Sequence, residues 1–361
     1  MTQTTVIGRP IEELDTPALL LDLPLCRQNL TLMANFFADK PAQLRPHFKN
    51  HKCTRLAKLQ RDHGSFVGMT CANLDEAEAL VAAGFDDVLI ANQVIGEGKL
   101  RRLAEIAGKT RLTVAVDDLE QTRSLSAVAE ATEVTIGLLL EIDNGMHRCG
   151  VTPGPASLEL AKQIVGLSGI RFHGLQSFEG HVIYIDDLVE RSQKTTAAMQ
   201  RAQQTKQLLE DSGIPTPTIS GGSSSTYTIA GTMDGITEIQ AGTYATMDCR
   251  YQRMVPEFKI AMSILATVIS CNSGRAVLNT GVKHIGAEFG LPEIKGLPDV
   301  EIPFFGSEEH CTVQNIPQHW KVGQTVEVYP THACTTCNLY RQMFVHENGF
   351  VVDVWPIDGR S

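Results

Sequence analysis

Short apolar runs alternate with amphipathic stretches over the first two thirds of the chain. The apolar runs predict strands that begin near Leu44, Phe66, Val88, Leu112, Val134, Ile170, Thr216 and Thr237. Apolar residues at helical spacing predict helices between them, at 53–63, 73–83, 98–108, 119–131, 155–166, 187–212 and, more weakly, 225–231. Runs such as 88–91 and 137–140 are typical of parallel strands buried on both faces. Eight successive strand–helix units predict a TIM-like (β/α)8 barrel; a doubly wound sheet is the alternative.

The pattern changes after residue 254. Short strands separated by turns rich in Gly and Pro are predicted at 259–270, 274–280, 325–329, 342–346 and 349–355. A strand at 16–22 and a helix at 23–38 precede the barrel pattern. We therefore predict a barrel domain over 24–254 and a mainly-β domain over 255–361, which the segment 1–23 joins.

Composition narrows the classes of function. The chain has 361 residues, is 43% hydrophobic and carries a net charge of −10, which argues against general binding to nucleic acid or to an anionic membrane. Residues 1–13 lack a signal-peptide pattern, and the apolar run at 260–269 is too short to span a bilayer. Nine cysteines is an odd number, so reduced thiols in a cytoplasmic enzyme are expected rather than a disulfide framework.

Two histidines and two lysines alternate in the segment 45–52, Arg-Pro-His-Phe-Lys-Asn-His-Lys. If this segment is extended, His47, Lys49 and His51 share one face. A lysine buried near other cations has a lowered pKa, and its amine can then form a Schiff base. The alternative is a solvated basic edge.

A second motif, Ser-Gly-Gly-Ser-Ser-Ser-Thr at 220–226, follows an apolar strand. Glycines let backbone N–H groups approach an anion, and the hydroxyls and the N-terminus of a following helix add to the attraction. This pattern suits a phosphate group, although it is neither a Walker loop nor a dinucleotide fingerprint. A flexible Ser-rich turn is the alternative.

Two other predicted strand ends carry polar side chains. The segment 141–150 places acids, a histidine and Arg148 after a buried strand, and Arg148 could hold a carboxylate or a ring oxygen. The alternative there is a helix-capping loop. The segment 174–181 includes Gln176 and ends at His181, which is a candidate general base. A lone histidine is more often structural.

A third motif, His-Ala-Cys-Thr-Thr-Cys at 332–337, lies in the predicted β region. His332 and Cys334 stand at strand spacing, and imidazole with thiolate suits Zn²⁺. Cys337 offers a third ligand but no fourth is evident, so a catalytic metal with open positions fits better than a structural site. A redox Cys-x-x-Cys pair is the alternative.

Together these segments resemble the fold-type III pyridoxal-phosphate enzymes, and within them the D-serine dehydratase and D-threonine aldolase family. The motifs that carry the resemblance are Asp15-Thr16-Pro17-Ala18-Leu19, the segment 45–52, Glu141-Ile142-Asp143 with Arg148, Glu179-Gly180-His181, Ser220-Gly221-Gly222, Gly242-x-Tyr244 with Asp248, Glu308-Glu309-His310 and His332-x-Cys334. The resemblance implies an alanine racemase-like barrel, an added β domain and a homodimer.

The resemblance also implies roles for individual residues. Lys49 would form the Schiff base with pyridoxal phosphate. The other residues implied to bind the cofactor are Arg148, Gln176, Ser220, Gly221, Gly222, Ser223 and Tyr244. His332 and Cys334 would hold a divalent metal, zinc first, with manganese or magnesium as alternatives.

Two positions depart from the pattern of the family. The segment 279–283 reads Asn-Thr-Gly-Val-Lys in place of the more usual Asp-Ala-Gly-x-Lys. Phe178 stands where Tyr is common, which removes a hydroxyl near the site.

The implied activity is a lyase reaction on a D-3-hydroxy amino acid. Cys334 favours the dehydratase branch, with D-serine giving a keto acid and ammonia, because the aldolase branch carries Asp as its second ligand. The alternative is D-threonine aldolase-type cleavage, with His181 taking the hydroxyl proton, or an aldolase or dehydratase of D-3-hydroxyaspartate. An amino-acid racemase and a pyridoxal-phosphate carrier are the remaining alternatives.

Overall fold

The computed structural model describes residues 6–272 and 274–360. Residues 1–5, 273 and 361, on which parts of the terminal and β-domain predictions fall, lie outside this part of the chain. The described residues divide into two compact units. One consists of residues 33–49 and 57–242, and the other of residues 6–32, Asn50–Leu56 and Thr243–Arg360.

Eight parallel strands form the sheet of the first unit. The first described strand, β1 (Ala18–Asp22), belongs to the other sheet. The eight strands are β2 (Gln43–Leu44), β3 (Met69–Cys71), β4 (Asp87–Ile90), β5 (Arg111–Val116), β6 (Ile136–Glu141), β7 (Ile170–Ser177), β8 (Thr218–Gly221) and β9 (Glu238–Ile239). Their order is β3-β4-β5-β6-β7-β8-β9-β2. Parallel bridges from Leu44 to Phe66 and from His47 to Thr70 connect the two edges, so the sheet curls round on itself. The predicted barrel is therefore confirmed, and the doubly wound alternative is wrong.

Helices connect these strands at nearly the predicted positions. They are α1 (Leu23–Phe37), α2 (Thr54–Asp62), α3 (Leu74–Ala82), α4 (Glu97–Ala107), α5 (Leu119–Ala131), α6 (Pro155–Ile164), α7 (Leu188–Asp211) and α8 (Tyr227–Ala230). Asn73, Asp118 and Asp187 cap α3, α5 and α7, since each side chain accepts a backbone N–H of the first helical turn. All six residues of β6 are buried, as expected for a strand covered on both faces.

The second unit is mainly β-structure. It contains α9 (Cys249–Met254), β10 (Met262–Asn272), β11 (Arg275–Leu278), β12 (Glu293–Ile294), β13 (Cys311–Gln314), β14 (Thr325–Tyr329), α10 (Ala333–Leu339), β15 (Gln342–Glu347) and β16 (Phe350–Pro356). The strand order is β12-β14-β10-β1-β15-β16, and β11 pairs with both β10 and β13. A mainly-β second unit was predicted, whereas β12, β13, α9 and α10 were not.

The core of this second unit forms around β1. Ala18 and Leu20 of β1 pack with Leu265, Val351 and Val354. β1 pairs antiparallel with β10 and parallel with β15, so the first of the described strands lies in the middle of this sheet. Among the described residues, no helix is both long enough and apolar enough to cross a membrane.

Candidate active site

Lys49 follows the strand that completes the parallel sheet. Beyond β2 the backbone N–H groups of Arg45 and His47 still donate to the carbonyls of Ile239 and Ala241. The chain then makes a single 3₁₀ turn over Phe48–Asn50, which carries Lys49. Lys49 therefore leaves the strand at its carboxyl end, which is the end where parallel barrels place their active sites.

The extended conformation expected over 45–52 is wrong beyond His47. Phe48 and Asn50 are almost fully buried, and the turn allows both of these neighbours of Lys49 to be buried. The Lys49 N–H donates to His47 Nδ1 at 3.4 Å across the start of this turn. His47, Lys49 and His51 consequently do not share a face through strand alternation.

Lys49 and Arg148 lie against the same aromatic ring. Lys49 Nζ is 5.4 Å from the ring centroid of Phe178, and Arg148 Cζ is 5.6 Å from that centroid. Such distances allow cation–π attraction for both side chains. The structure thus brings together two residues predicted from different motifs, and Phe178, without a hydroxyl, supplies the ring that both approach.

Glu141, at the end of β6, extends this cluster. Arg148 Nη2 is 3.8 Å from Glu141 Oε1, and Gln93 Nε2 donates to Glu141 Oε2 at 2.6 Å. Burial raises the pKa of Glu141, and the hydrogen bond from Gln93 and the charge of Arg148 partly oppose that rise. Arg148 is therefore held between a carboxylate and an aromatic ring.

Gln240 was missed by the sequence analysis. Its Nε2 donates to Gln176 Oε1 at 2.7 Å and to Ser220 Oγ at 2.8 Å, and all three side chains are buried. Gln176 and Ser220 were predicted cofactor-binding residues, so Gln240 fixes the orientation of both. Its signal in the sequence is weak: a single polar residue two positions before the Gly242-x-Tyr244 motif.

The Gly-Ser segment after β8 is a buried polar loop. An added Cβ at Gly221 would come within 2.0 Å of the Ser177 carbonyl oxygen, and Gly222 has φ of +76°, so neither position tolerates a larger residue. Ser223, Ser224, Ser225 and Thr226 are all at most 5% exposed. The buried hydroxyls of Ser223 and Ser224 beside a glycine turn fit the oxygens of a phosphate group, whereas the Ser225 hydroxyl donates to a backbone carbonyl. The following helix, α8, has only four residues, so the predicted dipole contribution is small.

Glu179 supports this loop from the end of β7. Its carboxylate accepts the N–H of Gly222 at 3.1 Å and the hydroxyl of Thr226 at 2.5 Å. Burial raises the pKa of Glu179, and these hydrogen bonds lower it in part. The predicted Glu-Gly-His motif therefore includes a residue that shapes the loop, besides His181.

His181 lines a cavity of about 840 Å³, together with Asp143, His147, Lys194 and Arg201. An added Cβ at Gly145 would lie 2.9 Å from Arg201 Nη1 and 3.2 Å from His181 Nε2, so these two groups approach the same point. Partial burial lowers the pKa of His181, and the positive charge of Arg201 lowers it further. A neutral imidazole near pH 7 suits a general base.

Replacing Arg201 by methionine is expected to move the acidic limb of the pH–rate profile to higher pH. Arg201 is one cause of the lowered pKa of His181, so its removal raises that pKa and protonates the imidazole at a higher pH. The profile of kcat/KM between pH 5 and 9 measures the shift. Lys194→Met is the matched control and should shift the limb less, because Lys194 contributes least among the charged neighbours. An unchanged limb in Arg201→Met would contradict His181 as the titrating base.

The remaining predicted residues belong to the second unit. Tyr244 lies in a single turn over Thr243–Ala245, is 1% exposed, and packs edge-on against Phe258. His332 is the N-cap of α10 and Cys334 lies in its first turn. The strand spacing predicted for His332 and Cys334 is therefore wrong, because the chain turns into a helix at this point.

Hydrogen bonds hold each member of this pair. His332 Nδ1 is 3.3 Å from Glu288 Oε2, which is the arrangement that leaves the other ring nitrogen, Nε2, for a metal ion. Asn50 Nδ2 donates to Cys334 Sγ at 3.8 Å. Imidazole and thiol donors of this kind fit a zinc-like ion. Over residues 6–272 and 274–360, no group of three or more His, Cys, Asp and Glu residues could hold a metal ion.

Two further residues fix the helix that carries this pair. Asp248 caps α9 and also accepts the N–H of Ala333, and burial raises its pKa to about 7. The Cys337 thiol lies 3.2 Å from the sulfur of Met262, and burial raises its pKa well above the usual value. A raised pKa disfavours the thiolate, so Cys337 is a poor third ligand.

Comparisons with known proteins cover almost the whole chain. Residues 21–249 match the family model of the alanine racemase N-terminal domain, and residues 261–346 match that of a serine dehydratase domain. The sequence is 33% identical to the 3-hydroxy-D-aspartate aldolase of Paracoccus denitrificans (strain Pd 1222), over 98% of this chain and 94% of that protein. It is 34% identical to the D-threonine aldolase of an Arthrobacter species, over 98% of this chain and 95% of that protein.

The chain is also similar to a dehydratase and to a solved structure of an aldolase. The D-threo-3-hydroxyaspartate dehydratase of a Delftia species is 28% identical, over 90% of this chain and 92% of that protein. The crystal structure of D-threonine aldolase from Filomicrobium marinum matches with a TM-score of 0.94 and 35% identity, over 98% of both chains.

Proposed function

Because this chain belongs to the alanine racemase-like, fold-type III family of pyridoxal-phosphate enzymes, in which its named relatives are aldolases and dehydratases of D-3-hydroxy amino acids, we propose that it is a lyase of that substrate class. The observation that carries the proposal is the approach of Lys49 and Arg148 to the ring of Phe178. This approach supports a role for Lys49 as the catalytic amine and for Arg148 as a cation that would hold a ring oxygen or a substrate carboxylate, since both follow the carboxyl ends of strands of the barrel.

The first unit offers residues that would hold pyridoxal phosphate. Lys49 would bind the cofactor covalently through its amine, and the loop from Ser220 to Ser223, with Gly221 and Gly222, would hold the phosphate. Arg148 and Gln176 would contact the ring, and we propose Tyr244 as a further contact. When bound, the cofactor supplies an electron sink for the bonds at Cα of the amino acid.

His332 and Cys334 would hold a divalent metal ion, for which we propose zinc, with manganese or magnesium as alternatives. The support is the donor chemistry of the pair and the carboxylate of Glu288 at the histidine ring. A bound ion would polarise the 3-hydroxyl group of the substrate.

The two candidate reactions differ in which residue moves a proton. In retro-aldol cleavage, His181 would take the proton of the 3-hydroxyl group, and the products are glycine and an aldehyde. In dehydration, Lys49 would take the proton from Cα, and the products are a keto acid and ammonia. Cleavage is the first candidate, because the aldolases share more of the sequence than the dehydratase does. Cys334 is the observation that favours dehydration.

A panel of D-amino acids tests this proposal. The purified protein, loaded with pyridoxal phosphate and Zn²⁺ or Mn²⁺, is incubated with D-threonine, D-serine and both D-3-hydroxyaspartates. Glycine identifies cleavage, whereas ammonia with pyruvate, 2-oxobutyrate or oxaloacetate identifies dehydration. The absence of all these products would overturn the proposed lyase. Metal-independent interconversion of amino-acid enantiomers would indicate a racemase instead.

Three broader features are also proposals. We propose domain boundaries at 24–254 for the cofactor-binding barrel and at 255–361, with 1–23, for the β domain that carries the metal ligands. We propose a homodimer, which sedimentation analysis would test. We propose a cytoplasmic location, supported by nine free cysteines, in seven of which burial raises the pKa of the thiol.

A further inference from the structure

Arg45, four residues before Lys49, has a buried guanidinium group that joins two carboxylates. Its Nε and Nη2 donate to the two oxygens of Glu238, both at 2.8 Å, and its Nη1 donates to Asp87 Oδ1 at 2.7 Å. The residue is 7% exposed. Its two partners lie on different strands, Glu238 on β9 and Asp87 on β4. A guanidinium bound in this way fixes the orientation of the two carboxylates as well as their distance from Arg45, because each hydrogen bond uses a different N–H group.

The ion cluster lies inside the sheet of the first unit. Arg45, Asp87 and Glu238 line a cavity of about 220 Å³ to which Thr113 of β5, His173 of β7 and Thr218 of β8 also contribute. Parallel barrels usually fill this space with branched apolar side chains. Here charged and polar groups stand beside the apolar side chains of Leu89 and Leu139. Asp87 also pairs with Arg111 at 3.0 Å, whereas a buried charge without a partner is unfavourable, so Arg45 and its two carboxylates stabilise one another.

Arg45 spans the closure of the sheet. β2 pairs with β9 through two residues, and on its other side isolated bridges, rather than a continuous ladder, connect it to the chain around β3. The guanidinium reaches past β3 to Asp87 of β4. The fit is close, because an added Cβ at Gly68, just before β3, would approach Arg45 Nη1 to 2.3 Å.

We propose that Arg45 is a positioning residue for the reaction, because its bonds to Glu238 and Asp87 fix the strand from which Lys49 projects. The inference rests on the proposed function, in which Lys49 bears the cofactor. Only residues 46–48 separate Arg45 from Lys49, so a displacement of Arg45 moves Lys49 relative to Arg148 and Phe178. Catalytic geometry is sensitive to displacements of about 1 Å, which can cost about 100-fold in rate.

The test compares two arginines with the same chemistry in different places. Arg102 also binds two carboxylates, Glu78 and Asp75, but on an exposed face of α4. Arg45→Met and Arg102→Met are measured in the loaded enzyme, well below the melting temperature of each variant. The readouts are kcat and KM for the substrate found by the D-amino acid panel, the pH midpoint of the cofactor absorbance, and the yield of borohydride label on Lys49.

We expect Arg45→Met to lower kcat at least about tenfold with a smaller change in KM, and to shift the pH midpoint of the cofactor absorbance. Arg102→Met should leave all of these readouts at the wild-type value. Arg45→Lys, which keeps the charge but not the fork, should recover part of kcat. A folded Arg45→Met enzyme with wild-type kcat, midpoint and label would overturn the inference.

A second variant keeps the test decisive if Arg45→Met does not fold. Glu238→Gln preserves the volume of the side chain and leaves the bond between Arg45 and Asp87 in place. It should therefore lower kcat less than Arg45→Met does, and shift the pH midpoint of the cofactor absorbance in the same direction. Wild-type values in folded Glu238→Gln would overturn the inference. If the wild-type enzyme itself shows neither lyase products nor label on Lys49, the proposed function fails, and the positioning role falls with it.

Discussion

Replacing Lys49 by alanine is expected to abolish covalent attachment of pyridoxal phosphate and to lower kcat by about 10³-fold or more. The expectation follows from the position of its amine, 5.4 Å from the ring centroid of Phe178 at the end of a barrel strand. Borohydride reduction followed by peptide mass spectrometry measures the attachment, and the visible absorbance of the cofactor gives an independent reading.

Lys52→Met is the matched control for this experiment. Lys52 is the other lysine of the motif, and its Nζ donates to Asn338 Oδ1 at 2.8 Å, a contact that gives the amine a structural role. The control should keep the label on Lys49 and most of the activity. A label that survives in Lys49→Ala and moves with Lys52 would reassign the cofactor lysine. A label on neither peptide in the wild-type protein would remove the basis of the proposed site.

The barrel could be predicted because its signal is local and repeated. Buried parallel strands are apolar at nearly every position, and the helices that cover them show a clear period, so runs such as 137–140 and the capped stretch 119–131 were placed within one or two residues. The second unit was harder. β12 has two residues and β13 has four, and such short segments lack enough positions to show alternation.

The two local errors have a common cause. The sequence suggests an extended chain at both the turn Phe48–Asn50 and the start of the helix after His332, because His and Lys alternate in the first segment and His332 and Cys334 are two residues apart in the second. In the structure, tertiary contacts override that spacing: Asn50 accepts from Thr246 at 2.8 Å, and Asp248 caps the helix at Ala333. These partners are about 200 and 85 residues away along the chain, so a short window of sequence cannot show them.

Side chains that orient other side chains could not be predicted from the sequence either. In the sequence Glu179 stands out only as part of a motif, and its role in shaping the loop at Gly222 depends on a contact across 43 residues. Gln240, which orients Gln176 and Ser220, and the two carboxylates that hold Arg45 are polar residues with no local pattern. The sequence therefore predicts residues that could touch the cofactor better than it predicts the residues that hold them in place.

Replacing Cys334 by alanine is expected to remove the metal ion while leaving the cofactor attached to Lys49. A two-ligand site that loses one ligand should lose at least about 100-fold in metal affinity, and the lyase reaction should fall with it because the 3-hydroxyl group is no longer polarised. Elemental analysis after dialysis measures the metal. Co²⁺ substitution gives a second reading, since a charge-transfer band between thiolate and cobalt requires the sulfur to be a ligand.

Two further variants separate ligation from a general effect on the helix. Cys337→Ala removes a thiol three residues further along α10. That thiol is buried beside Met262, and burial raises its pKa and so disfavours its thiolate form. This control should therefore keep both the metal ion and the cobalt band. Cys334→Asp restores an anionic ligand and should recover metal without the band, because carboxylate oxygen also binds zinc. Full lyase activity in metal-free Cys334→Ala would show that the ion does not act on the substrate. An unchanged cobalt band in cobalt-loaded Cys334→Ala would show that another thiolate is the ligand, and Cys337, the other thiol of α10, would then be the first candidate.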